Sequence, residues 1–182
     1  MALDVLIRYR PSMQYATVGR SFFTPAGSQQ LYGGVEVWQG YYQSARPTYR
    51  KMMINIDVSA TAFYESGDLV QVVVKILGRR SVEDLRKGIS DKDRTKLEKA
   101  LKNLKIRVIH RGDAVSQRRF RISKLTPTPA HSTKFDANGK SIDVATYFQE
   151  TYRKRLQYSF LPCVVVRKEN YLPMEVCEII QV

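Results

Sequence analysis

The stretch that decides the fold is Leu104-Lys-Ile-Arg-Val-Ile-His110, answered after a polar interval by Arg119-Phe-Arg-Ile-Ser123. Leu104, Ile106, Val108 and His110 fall on one side of an extended chain, and Lys105 and Arg107 fall on the other. Side chains alternate across a strand, so this period of two marks a strand with one buried face. The second run supplies a matching strand, with residues 111–117 as the turn between the two.

Downstream, Asp136-Ala-Asn-Gly-Lys140 is a hairpin turn, and Ser141 or Asp143 caps a helix expected to reach about Arg155. Residues 161–166 and 174–182 are expected to close the chain with strands. Upstream, Ser90 and Asp93 begin a helix with an apolar stripe of Leu97, Leu101 and Leu104, leaving Lys96, Lys99 and Lys102 to water. Ser81 with Asp84 starts a shorter helix that Gly88 stops. Leu69, Val70, Val73, Ile76 and Leu77 share a helical face, although the valines at 70, 72, 73 and 74 favour a strand by propensity.

The first third of the chain reads as a short helix over residues 2–10, ended by Pro11, and then as strands and turns through residue 64. A hairpin is expected about Gly33-Gly34, and residues 52–58 as a strand half buried against a partner. Many short strands with one inserted helix give an α+β fold: a small open barrel carrying an appendage, preceded by a β-rich segment.

The chain has 182 residues, with 30 Lys+Arg against 17 Asp+Glu and a formal net charge of +13. A balance this basic points to a polyanionic partner. The excess is uneven, with 6 basic and 4 acidic residues in 1–66 against 24 and 13 in 67–182. The polyanion site therefore belongs to the second part. Cys163 and Cys177 make no disulfide framework, and no Cys or His pair stands at zinc-ligand spacing. No apolar run approaches a membrane span and the first residues do not read as a signal peptide, so a soluble intracellular protein is expected.

Residues 110–172 mix cations with aromatic rings: His110, Arg118, Arg119, Phe120, Arg121, Phe135, Tyr147, Tyr152, Arg153, Lys154 and Tyr171. Single-stranded nucleic acid is held by that mixture, because every base has a π-face and every linkage a charge. Tyr147 and Tyr152 are five residues apart, or about 140° around a helix, so they would flank a groove rather than form one stripe. Phe120, Phe148 and Phe160 read more simply as core. Catalysis has no support: Asp113, Asp136 and Asp143 are scattered over turns and a cap, and neither His110 nor His131 has a nucleophile at a recognisable spacing.

Two groups of motifs carry a family resemblance. Val18-Gly-Arg-Ser-Phe-Phe-Thr-Pro25, Gly33-Gly-Val-Glu-Val-Trp38, Arg46-Pro47 and Asn55-Ile-Asp-Val-Ser59 resemble, in order, the first linker region of eukaryotic Argonaute proteins. Ile109-His110, Arg118-Arg-Phe-Arg-Ile122, Ala130-His-Ser-Thr-Lys-Phe135, Val144-Ala-Thr-Tyr-Phe-Gln-Glu-Thr-Tyr152, Leu161-Pro-Cys163 and Tyr171-Leu-Pro-Met-Glu-Val-Cys177 resemble their PAZ domain. The resemblance covers nearly the whole chain. It implies a linker, with the tail of an N-terminal domain, over 1–66 and a PAZ domain over 67–182. That domain would be a barrel similar to the oligonucleotide-binding fold, with a hairpin-and-helix insert clamping over a cleft.

In such a cleft the two-nucleotide 3′ overhang of a small guide RNA would lie, gripped without sequence specificity. The resemblance implies that His110, Tyr147 and Tyr152 contact the phosphate between the last two nucleotides. It makes Phe135 the platform under the terminal nucleotide, Arg118 and Phe120 backbone-side contacts, and Tyr171 and Leu172 the floor. Arg119, Arg121, Arg153 and Lys154 would be supporting cations. Three positions depart from the family pattern: a longer turn after His110, Phe120 where tyrosine is more usual, and Thr151 where a basic residue is usual. No catalytic residue, metal or cofactor is implied. The partners would be small RNA and the other Argonaute domains (N, MID and PIWI), with no membrane, in the cytoplasm or also the nucleus, in RNA-mediated silencing. A scaffold that positions those domains without gripping RNA, and a Dicer-type PAZ measuring module, are the rival readings; the linker motifs belong to Argonautes.

Overall fold

The computed structural model describes residues 2–110, 118–167 and 170–180. It divides into two compact units, Met1–Glu65 and Ser66–Ile180. The expected turn at 111–117 lies outside the described residues.

The first unit is a helix α1 (Ala2–Gln14) and a four-stranded antiparallel sheet in sequence order: β1 (Ala16–Val18), β2 (Ser21–Leu31), β3 (Val35–Thr48) and β4 (Lys51–Tyr64). The expectation that Pro11 ends α1 is wrong: the helix continues to Gln14 with Pro11 inside it. Proline has no N–H to offer the carbonyl four residues back. That carbonyl, on Ile7, instead accepts from Gln43 Nε2 at 2.6 Å. Asp4 adds a second tie by accepting from the Ala45 N–H at 2.7 Å.

The expected hairpin forms about Gly33 and Gly34, whose φ angles of 83° and 73° favour glycine. Phe22, Phe23 and Trp38 are buried, and the Trp38 ring lies 4.3 Å from Phe63. At Gly40 β3 passes too close to β2 for a side chain, since a Cβ there would stand 2.3 Å from the Phe22 carbonyl oxygen. Strand β4 corrects a second expectation. Residues 51–60 are all exposed rather than half buried: among the described residues β4 pairs with β3 alone at the end of the sheet, and nothing covers either of its faces there.

The second unit is built on a six-stranded sheet in the order β11-β10-β7-β6-β12-β5. Its members are β5 (Gly67–Asp68), β6 (Lys105–Val108), β7 (Arg119–Pro129), β10 (Pro162–Val166), β11 (Asn170–Pro173) and β12 (Cys177–Ile179). β5 and β11 remain its edges, so the barrel-like sheet is open, as the pattern of short strands requires. β6 and β7 pair antiparallel, with Ile106 opposite Phe120. Strand β10 is buried at every position.

Helix α2 (Leu69–Ile76) forms despite its valines. Asp68 caps it by accepting from the Val70 N–H at 2.9 Å, and six of its eight residues are buried. Each fully buried aliphatic side chain contributes about 1.5–3 kcal/mol of transfer free energy, which exceeds the few tenths that propensity opposes. Ser90 caps α3 (Asp91–Leu101), whose Leu97 and Leu101 are fully buried. The helix expected after Ser81 is a single 3-10 turn, Val82–Leu85.

Two closing elements also differ from expectation. Met174–Val176 is a 3-10 turn rather than strand, so β12 begins only at Cys177. β11, at Asn170–Pro173, was not foreseen, because its four residues show no alternation.

The appendage is a hairpin, β8 (Lys134–Ala137) and β9 (Lys140–Asp143), followed by helix α4 (Val144–Tyr152). Asn138 and Gly139 both take positive φ, at 56° and 82°, as a two-residue hairpin turn demands. The Asp136 carboxylate accepts from the Gly139 N–H at 2.7 Å. Helix α4 stops three residues short of the expected end. Arg153 turns left-handed at φ 50°, and its N–H closes onto the Phe148 carbonyl.

Candidate nucleic-acid interface

Asp143 begins α4 by accepting from the Thr146 N–H at 2.9 Å and from its hydroxyl at 2.6 Å. Burial pushes the Asp143 carboxyl up, but the bonds from the Thr146 hydroxyl and from backbone N–H groups outweigh it and hold the group below its ordinary value. The Val144 N–H donates to the Thr133 carbonyl at 3.0 Å, which ties the helix to the root of the hairpin. From this fixed start, α4 buries Val144 and Phe148 and leaves Tyr147 and Tyr152 half buried on either side of Phe148.

A cleft of about 350 Å³ opens between this appendage and the sheet. His110, Arg118, Phe120, Phe135, Tyr147, Tyr152, Tyr171 and Leu172, all eight residues expected at the binding site, line it. Their rings form a chain. Phe135 lies 6.2 Å from Tyr171 and meets Tyr147 edge-on at 5.1 Å; Tyr147 meets Tyr152 at 6.1 Å, and Tyr152 meets His110 at 4.7 Å. The two tyrosines come closer than their 140° separation suggested, since both pack on Phe148.

Five lining residues escaped the sequence reading as site residues: Val108, Phe148, Val166, Arg167 and Asn170. Val108 and Val166 come from the strands that form the base, and Phe148 is core, as expected. Arg167 is the informative omission, since it brings a second cation to the cleft. Its local sequence carries no motif that marks it for the cleft. Of the other two phenylalanines expected in the core, Phe120 lines the cleft, and Phe160 is half buried beneath the Arg86 guanidinium.

The four supporting cations do not line the cleft. Arg119 and Arg121 stand on the exposed side of β7, Arg153 is the exposed C-cap of α4, and Lys154 lies near Glu175. Burial pushes the Glu175 carboxyl up, against the N–H groups of Gln157 and Tyr158 that it accepts from. No carboxylate is present among the described residues lining the cleft. Two guanidiniums, three tyrosine hydroxyls and an imidazole around open ring faces suit a phosphate and a base, not a cation.

The two thiols are buried, and burial pushes Cys163 up to about 12 and Cys177 higher still, so neither offers a thiolate near neutral pH. His131 is exposed, with its Nδ1 3.0 Å from the Ser159 carbonyl. Among the described residues, no cluster of three or more His, Cys, Asp or Glu side chains could hold a metal.

Residues 75–182, which carry this cleft, match the PAZ domain family, and residues 17–65 match the Argonaute linker 1 domain. The chain belongs to the Argonaute family. Neither matched Argonaute domain is a catalytic one. Protein argonaute 1C of Oryza sativa subsp. japonica is 44% identical over 184 residues, 98% of this chain, yet the match spans only 18% of that protein's length.

Two solved Argonaute structures share the fold. The Drosophila Ago-PAZ domain in complex with 3′-end 2′-O-methylated RNA matches with a TM-score of 0.53 and 23% identity, covering 64% of this chain and 100% of that one. The Argonaute of Kluyveromyces polysporus with a guide RNA matches with a TM-score of 0.63 and 17% identity, over 91% of this chain and 21% of that one.

Proposed function

We propose that the PAZ cleft anchors the 3′ end of a small guide RNA without reading its sequence, within an Argonaute that acts in RNA-mediated silencing. The observation that carries this reading is the ring chain from Tyr171 through Phe135, Tyr147 and Tyr152 to His110, flanked by Arg118 and Arg167, with no carboxylate among the described residues lining the cleft. The RNAs named with the Drosophila and Kluyveromyces structures point the same way. His110, Tyr147 and Tyr152 donate to the phosphate between the last two nucleotides, which fixes the backbone but specifies no base. Phe135 stacks on the terminal nucleotide, Tyr171 and Leu172 form the floor, and Arg118 and Phe120 meet the backbone. The remaining Argonaute domains are this region's partners in the parent protein.

Titration by fluorescence anisotropy tests the reading, using RNA duplexes with blunt ends and with two-nucleotide 3′ overhangs of varied sequence. The overhanging duplexes bind more tightly whatever the overhang sequence. Equal affinity for blunt and overhanging ends overturns the proposal.

A further inference from the structure

Helix α1 is tied to its own sheet through Asp4 and the Ile7 carbonyl, which accept from Ala45 and Gln43 of β3. At about 100° of rotation per residue, the opposite side of α1 carries Val5, Leu6, Tyr9 and Met13. These four side chains are 65–71% exposed. An apolar stripe turned away from its own sheet cannot cover that sheet, and it needs a second apolar layer.

The same unit has an uncovered sheet face. Met52, Ile54, Ile56 and Val58 alternate along β4 and so share one side of it, at 52–83% exposure. Gln43, whose side chain donates to the Ile7 carbonyl, stands directly opposite Ile56, and directly opposed residues share a face. Helix α1 and the β4 stripe therefore lie on the same side of the sheet, with α1 over β3 and β4 uncovered next to it. Their lengths agree: α1 spans about 20 Å at 1.5 Å per residue, and Met52 to Val58 about 20 Å at 3.4 Å per residue.

We propose that two copies of this chain pair about a two-fold axis parallel to the strands, with α1 of each lying over β4 of the other. Two helices side by side, each about 10 Å across, then fill the space between two sheets. Each copy supplies one helix stripe and one sheet stripe of equal length, so one isologous contact covers both and closes at two copies. An axis along the strands preserves level, so Leu6 of one copy, next to Ile7, meets Ile56 of the other. With four large side chains from each element, the contact is at the small end of specific interfaces. Its Kd is about 10–50 µM, and the dilute chain is monomeric.

Sedimentation equilibrium of the 182-residue chain, without RNA, tests this over about 2–300 µM, a range that brackets the Kd. The wild type passes from monomer to dimer. Tyr9→Lys and Ile54→Lys, at positions 65% and 57% exposed, each raise the Kd at least about tenfold and leave the melting temperature of the dilute chain unchanged. Tyr32→Lys, in the turn between β2 and β3 and outside both stripes, leaves the Kd unchanged. Mixing Leu6→Cys with Ile56→Cys chains under oxidised glutathione gives a disulfide between the two, since Cys163 and Cys177 are buried. A wild type that stays monomeric throughout overturns the proposal and leaves both stripes to another segment of the parent protein. A dimer that survives both lysine substitutions, or that forms no mixed disulfide, overturns it as well.

Discussion

Strands β4 and β10 are both apolar, yet Met52, Met53, Ile54, Ile56 and Val58 of β4 are 52–83% exposed, whereas Cys163, Val164, Val165 and Val166 of β10 are at most 2% exposed. The difference lies in neighbours, not in hydrophobicity. β10 is an interior strand, paired with β11 on one side and β7 on the other. β4 has β3 alone, and its Lys51, Asn55 and Asp57 are the kind of polar residues that blunt an apolar edge. The comparison also explains where a site can be built. The cleft takes Val166 from the end of β10, Arg167 from the residue after it and Val108 from the end of β6, so its base belongs to buried strands of the second sheet.

The largest expected effect tests this contrast on β6, which like β10 is an interior strand of the second sheet. Ile106→Ala in β6, where the side chain is 0% exposed, costs about 2–5 kcal/mol of stability. Ile56→Ala in β4, at 62% exposure, costs about 0.5 kcal/mol or less. Chemical denaturation of both variants measures the pair, and equal losses would remove the distinction between the two strands.

Next in size are the effects on RNA binding. Tyr147→Phe keeps the ring and removes the hydroxyl, so overhang affinity falls by about 1.5–3 kcal/mol through loss of a hydrogen bond to a charged group. Phe135→Ala removes the stacking platform at a cost of about 1–3 kcal/mol in affinity. Phe135 and Tyr147 are half buried, and both variants keep a wild-type melting temperature within a few degrees. A severe melting loss with RNA affinity unchanged in the folded fraction would make them core residues like Ile106.

The smallest effect sharpens the role of the appendage. Asp143→Ala removes the cap of α4 and costs about 1 kcal/mol. The Asp143 carboxyl lies below its ordinary value when folded, so its contribution is present above the unfolded value of about 3.9 and is lost as pH falls through the folded value. The wild type therefore loses a stabilising contribution below about pH 4 that the variant never had. An acid titration followed by circular dichroism that is identical for both proteins would contradict the cap.

Much of the site was legible because strands and caps are local. The alternation from Leu104 to His110 put His110 on the side of Ile106 and Val108, and it lines the cleft just past the end of β6; Asp143 marked the start of α4. What stayed hidden depended on contacts distant in sequence. Arg167 follows an apolar run with no motif to mark it, and the pairing of β10 with β7 brings it over Phe120. Pro11 looked like a helix end because Gln43, which satisfies the Ile7 carbonyl, comes 36 residues later.

By itself the sequence determined the α+β character, the uneven positive charge, the caps and turns, and the cluster of cations and aromatics, since each follows from the chemistry of residues near one another in the chain. Tertiary structure decided which apolar strand is covered, how closely Tyr147 and Tyr152 meet, and which cations face the cleft. Burial and side-chain approach are properties of neighbours in space. A strand's own residues cannot specify whether one partner or two will pair with it, nor what will cover its faces.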